Sequence, residues 1–230
     1  MPLSDSSLRV RARPSRFGTA SARTRLFLSA ALVALLSAAA FAAPVRARPV
    51  PGTWRERAPE GVRRGDLALR LGSGTWTRHF RQTSTRDPRF SHAGIVVADA
   101  PDVWVVHSEA NERTGAGGVR RQDWRGFCEP ALDCAVWRLS DDPEAAERIA
   151  RAAEARLGVP FDVEFDLSET NSLYCTEFVR TVVNEALGEE RIGVTRARGI
   201  LFVAVDDCYP AGGTLVFDAR TNAASRARAE

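Results

Sequence analysis

From residue 62 onward the chain alternates short β-rich apolar runs with two longer stretches of helical period. Residues 67–69 read as a short strand that Gly72-Ser73-Gly74 breaks, and Trp76 and Phe80, four apart, place a short helix over 75–82. Two β-rich runs follow, 92–98 (His-Ala-Gly-Ile-Val-Val-Ala) and 103–109 (Val-Trp-Val-Val-His-Ser-Glu). The turn Asp99-Ala-Pro-Asp102 between them predicts a hairpin. A four-residue loop pairs Ala98 with Val103, and counting back along the ladder sets His92 across from Glu109. A one-residue slip would undo that pairing.

Beyond a glycine-rich loop at 115–118, residues 119–124 and 135–139 continue as strands. Asp142-Pro143 opens a helix whose apolar positions, Ile149, Ala152, Ala153 and Leu157, run to Gly158. Residues 171–188 carry the second helical stripe: Cys175, Phe178, Val179, Val182 and Ala186. Ser172 or Asn171 is placed to cap it, and Gly188 stands where a left-handed residue ends a helix. Residues 200–205 and 214–217 read as strands, and 219–230, mostly Ala, Arg, Ser and Glu, as a disordered tail. The chain shows no internal repeat.

The first 43 residues differ from the rest. Six arginines against Asp5 give this segment +5; with +3 for the whole chain, the remainder is −2. The sequence pI of about 8.9 therefore belongs to the leader, which argues against nucleic acid as a partner. The arginines precede an uncharged run, 26–43, in which Ala40-Phe41-Ala42 fits a small-residue cleavage site. Residues 1–43 are expected to be a signal peptide, or else a retained N-terminal anchor that keeps the domain near a membrane. Either way the domain is expected to be exported, periplasmic or extracellular. Residues 44–61, rich in Pro and Arg, read as a linker, and 62–218 as the folded domain.

Export gives the four cysteines meaning. Cys128 and Cys134 flank a turn-like segment where an oxidising compartment permits, without requiring, a bridge. Cys208 reads as buried. Cys175 falls in the first helical turn, at the positive end of the dipole, where a thiol pKa can drop from about 8.5 to roughly 3.5–7.5. A packed core cysteine is the plainer interpretation of that position alone. The hairpin adds to it an imidazole, His92, and a carboxylate, Glu109, and this trio has a mechanism. The imidazole takes the thiol proton, the thiolate attacks a carbonyl, and the carboxylate orients the ring. His107 shares a strand face with Glu109 and is the reserve candidate for that orienting role; His79 has the look of a surface residue. His92, His107 and Cys175 are also zinc-ligand types, but no closely spaced Cys or His pair supports a metal, and no cofactor is expected.

Several segments occur in a familiar order: Arg-Gly-Asp-Leu-Ala-Leu (64–69), Phe-Ser-His-Ala-Gly-Ile-Val-Val (90–97), Ser-Glu-Ala (108–110), Gly-Val-Arg (118–120), Leu-Gly-Val-Pro-Phe-Asp (157–162) and Leu-Tyr-Cys-Thr-Glu-Phe-Val (173–179). Over about residues 62–190 the chain resembles the circularly permuted papain-like amidases of the YiiX/YaeF type, relatives of the NlpC-type cell-wall peptidases and of lecithin retinol acyltransferase. The resemblance implies an α+β fold: a permuted papain-like core with an antiparallel sheet packed on the Cys-bearing helix. By family position it implies Cys175 as nucleophile, His92 as base and Glu109 as the third polar residue. Thr176 stands where Ser is common and Phe161 where Tyr is common. Glu177 matches the family's Glu after Cys and reads as structural. The implied activity is hydrolysis of an amide or ester in a cell-wall peptide or acyl lipid. Acyl transfer by the same trio, or a non-catalytic envelope-binding module on the same scaffold, are the alternatives. Nothing in the pattern speaks to oligomeric state.

Overall fold

The alternating runs assemble into one six-stranded antiparallel sheet. Its strands are β1 (Leu67–Leu71), β2 (His92–Val96), β3 (Trp104–Ala110), β4 (Gly117–Asp123), β5 (Asp133–Arg138) and β8 (Thr214–Asp218), in spatial order β4-β3-β2-β1-β5-β8. β6 (Thr195–Ala197) and β7 (Ile200–Phe202) form a separate hairpin. The helices are α1 (Thr75–Thr83), α2 (Trp124–Cys128), α3 (Pro143–Glu154) and α4 (Cys175–Leu187). In this computed structural model the described residues are 48–197, 199–209 and 213–222. The expected leader lies outside them. No helix among the described residues is long and apolar enough to cross a membrane.

The two faces of the sheet bury different cores, as the period-two alternation requires. Leu67, Leu69, Ala93, Ile95 and Val106 face α3 and α4, which bring Ile149, Ala153, Phe178, Val179 and Val182 to them. Ala68, Val96, Val105 and Val136 face the other way, onto Trp124 and Phe127 of α2. Trp54 and Ala58 join this second core. The expected linker is therefore ordered from Val50 on: Trp54 is buried, and its carbonyl accepts a hydrogen bond from Trp124 Nε1 at 2.6 Å. A Pro- and Arg-rich composition hid a single large aromatic anchor. At the other end, residues 219–222 make a helical turn with Ala219 buried, and Arg220 lies 2.7 Å from Asp133. The fold thus runs four residues into the expected tail, whose remaining residues are outside those described. Cys128 and Cys134 are buried free thiols in the second core.

The hairpin register is the one counted from the turn: Ile95 pairs with Val106 and Val96 with Val105. The other correction concerns the start of α4. Neither Asn171 nor Ser172 caps it; Tyr174 is the N-cap, and its backbone N–H donates to Glu177 three residues on, at 3.3 Å. Cys175 is consequently the first helical residue. The helix ends as expected at Gly188, with φ 67°.

Candidate active site

One cavity of about 220 Å³ brings the three sequence candidates together: Cys175, His92 and Glu109 all line it. Trp76, Phe80, Phe161 and Val163 give it an apolar wall.

Cys175 enters from α4 on one side of the sheet. Backbone N–H groups of Ala93, the neighbour of His92, and of Thr176 donate to its sulfur. Burial nevertheless dominates and pushes the thiol up to about 12, against the pull of these donors and of Arg70. Desolvation of a thiol only 1% exposed thus outweighs the donors at the helix start.

His92, Glu109 and His107 sit on alternate positions of β2 and β3. They share the α2 face of the sheet with Arg70 of β1 and with Arg120 and Gln122 of β4. The structure divides the polar residues between two clusters. His92 Nε2 lies 2.8 Å from His107 Nδ1, and His107 Nε2 lies 3.0 Å from Gln122 Oε1. The carboxylate of Glu109 is instead clamped by Arg70 and Arg120. The register places Glu109 as expected, but two guanidinium groups compete for its oxygens, and a charge-assisted pair outweighs a neutral imidazole as partner. The ring contact expected of Glu109 is made by the reserve candidate, His107.

Burial holds both histidines neutral: it lowers His92 well below the usual imidazole value and His107 to about 3, with Arg70 adding to both shifts. Burial alone would raise the Glu109 carboxyl. Arg70 and Arg120 reverse this and hold it below its ordinary value. Phe127 closes the cluster from α2, its ring centroid 5.9 Å from His92 and 5.3 Å from His107. Gly94 makes the pairing sterically feasible, since a Cβ there would come within 2.9 Å of His107 Cβ and 2.7 Å of Val105.

Arg70, Arg120 and Gln122 escaped the sequence reading. Arg70 left one signal, a charge inside an otherwise apolar strand. Gln122 left none, because its place depends on the β3–β4 register across a loop. His79 lies on α1 and does not line the cavity.

Residues 62–196 match the family described as the permuted papain-like amidase enzyme, YaeF/YiiX, C92 family. The chain belongs to that family. Among solved structures it is similar to the metalloprotein yiiX from Escherichia coli O157:H7, at 18% identity and a TM-score of 0.56. That match covers 68% of this chain and 97% of the other. No curated protein matches the chain. Family membership and the shared fold account for the permuted order seen here, in which the His-bearing strands β2 and β3 precede the Cys-bearing α4.

Proposed function

We propose that this C92-family chain is a thiol hydrolase that cleaves an amide or ester through an acyl-enzyme. One observation carries the proposal: Cys175, the first residue of α4, and His92, the first residue of β2, line the same cavity. With Nε2 facing His107, His92 has Nδ1 left for the thiol. Nδ1 takes the sulfur's proton as sulfur attacks the carbonyl carbon. Backbone N–H groups at the start of α4 stabilise the oxyanion. The C–N or C–O bond then breaks, the imidazolium protonates the leaving group, and water releases the acid by the same route in reverse.

The apolar wall of Trp76, Phe80, Phe161 and Val163 suits an apolar acyl group or peptide side chain, so cell-wall peptide and acyl-lipid substrates both fit. The Arg-rich, apolar leader supports export. The yiiX relative is described as a metalloprotein. A metal does not fit between the candidate ligands here, because His92 Nε2 and His107 Nδ1 face each other at hydrogen-bond distance, 2.8 Å. Among the described residues no group of three or more His, Cys, Asp or Glu side chains is arranged to hold a metal.

The non-catalytic module draws on one observation, the deep burial of the Cys175 thiol. Alkylation with iodoacetamide near neutral pH, read by mass spectrometry, separates the two. Cys175 should react much faster than buried Cys208, and the excess should vanish in His92→Ala. Equal, slow labelling of both thiols would end the nucleophile assignment.

A further inference from the structure

The geometry points to His107 and Gln122 as positioning residues that impose the reactive tautomer of His92, a role that the family pattern assigns by position to Glu109. This rests on His92 being the base for Cys175. The steps run inward from the edge strand. Gln122 presents Oε1, an acceptor only, to His107 Nε2 at 3.0 Å, so His107 carries its proton on Nε2. His107 Nδ1 is then a bare lone pair, and it lies 2.8 Å from His92 Nε2. His92 must therefore hold its proton on Nε2 and donate it. That leaves Nδ1 unprotonated, the state a general base requires.

Each link is held in place. His107 is fully buried, and its ring stands at 86° to that of His92 with centroids 5.0 Å apart. Gly94 provides the space, and Phe127 packs against both rings. The charged groups acting on the pair are Arg70 from β1, Glu109 from β3 and Arg120 from β4, and Cys175 of α4 lines the same cavity as His92. Glu109 is engaged with the two arginines, so no carboxylate reaches either imidazole. The relay is neutral from end to end. It orients the base without raising its basicity, unlike a carboxylate, which would also stabilise the imidazolium.

Two readouts test this on the folded protein. Nitrogen-15 spectra of the labelled chain at pH 7 should show His92 and His107 both as Nε2–H tautomers; an Nδ1–H tautomer at His92 overturns the assignment. The second is the pH dependence of Cys175 alkylation by iodoacetamide in variants at Gln122, a half-buried residue on edge strand β4 whose replacement spares the core. Gln122→Leu removes the acceptor and should slow alkylation about ten- to a hundredfold, short of the roughly 10⁴ seen when a wrong tautomer is enforced. Gln122→Glu keeps the acceptor and adds charge, so the acid limb of the profile should move up by about one pH unit. That movement should be largely lost in the double variant with His107→Asn, whose Oδ1 still accepts from His92 but cannot titrate. His107→Asn alone should keep more reactivity than His107→Leu. A Gln122→Leu chain that reacts like wild type, or a Gln122→Glu shift that persists beside His107→Asn, overturns the relay. If His92→Ala leaves Cys175 reactivity unchanged, the site assignment fails, and the tautomer spectra still judge the relay separately.

Discussion

Glu177 offers the sharpest quantitative test of the environment at the start of α4. Its side chain is 5% exposed and accepts the Tyr174 N–H; Asp162 and Asp166 lie near it. Burial raises its pKa from 4.5 to about 8, the two aspartates adding to the effect against the Tyr174 N–H and Arg180. The sign follows from linkage. Between pH 4.5 and 8 the folded chain keeps a proton that the unfolded chain releases, so this group costs stability as pH rises through that window. At about 1.36 kcal/mol per pH unit the loss is under roughly 1 kcal/mol at pH 5 and on the order of 3 kcal/mol at pH 7. Glu177→Gln preserves a carbonyl acceptor for Tyr174 and cannot ionise. It should therefore gain little at pH 5 and rise steadily to pH 8. At about 2–4 °C per kcal/mol for a domain of this size, the Tm advantage over wild type should widen by roughly 7–14 °C across that interval. Thermal unfolding at matched ionic strength measures it. A Tm difference that does not change with pH would refute the buried, protonated carboxyl.

Other outcomes follow from the same structure. The neutral histidines act with the opposite sign. His107, lowered from 6.5 to about 3, leaves the unfolded chain with the extra proton between those values, so stability rises with pH there. At pH 5 it should cost about 2 kcal/mol relative to pH 7, a loss that His107→Asn abolishes in denaturant titrations. In wild type this partly cancels the Glu177 effect between pH 4.5 and 6.5, so each is best read in its own variant. Gly188→Ala at φ 67° with open space around it should cost only the left-handed penalty, about 1–2 kcal/mol. Gly65→Ala at φ 83° should cost clearly more, because its Cβ would sit 2.5 Å from the Ala146 carbonyl oxygen. Equal losses at the two glycines would show that α3 yields to the intruding methyl.

Most of the fold was legible because its signals are local. The strand alternation, the Asp142-Pro143 cap and the Gly188 stop each depend on neighbours within a few residues, and all three hold: the Asp142 side chain accepts from Glu144 N and Ala145 N. The β2–β3 register was legible for the same reason, since a short turn fixes it. What escaped depends on partners far along the chain. Trp54 is tied into the fold by Trp124, seventy residues away, whose Nε1 donates to its carbonyl. Glu109 was placed correctly in the ladder, yet its partners, Arg70 from β1, two strands away, and Arg120 from the adjacent β4, could not be counted from the hairpin. The choice between His107 and Glu109 as the contact to His92 was settled by those arginines, not by spacing.

The pKa directions on either side of the cavity constrain how Cys175 can react. Burial pushes the thiol up to about 12 and the imidazole well below its ordinary 6.5, so proton transfer from Cys175 to His92 runs uphill in the resting site. Burial thus favours the neutral form of both groups, a thiol and an imidazole that line one cavity. In the proposed acyl-enzyme chemistry, proton transfer from such a thiol would accompany attack on the carbonyl, with the new charge passing to an oxyanion held by backbone N–H groups. A base used in that way need not be strong, but its lone pair must already point at the thiol. That is a requirement on tautomer and orientation, and the proposed relay from His92 through His107 to Gln122 would supply the tautomer without adding charge to the site.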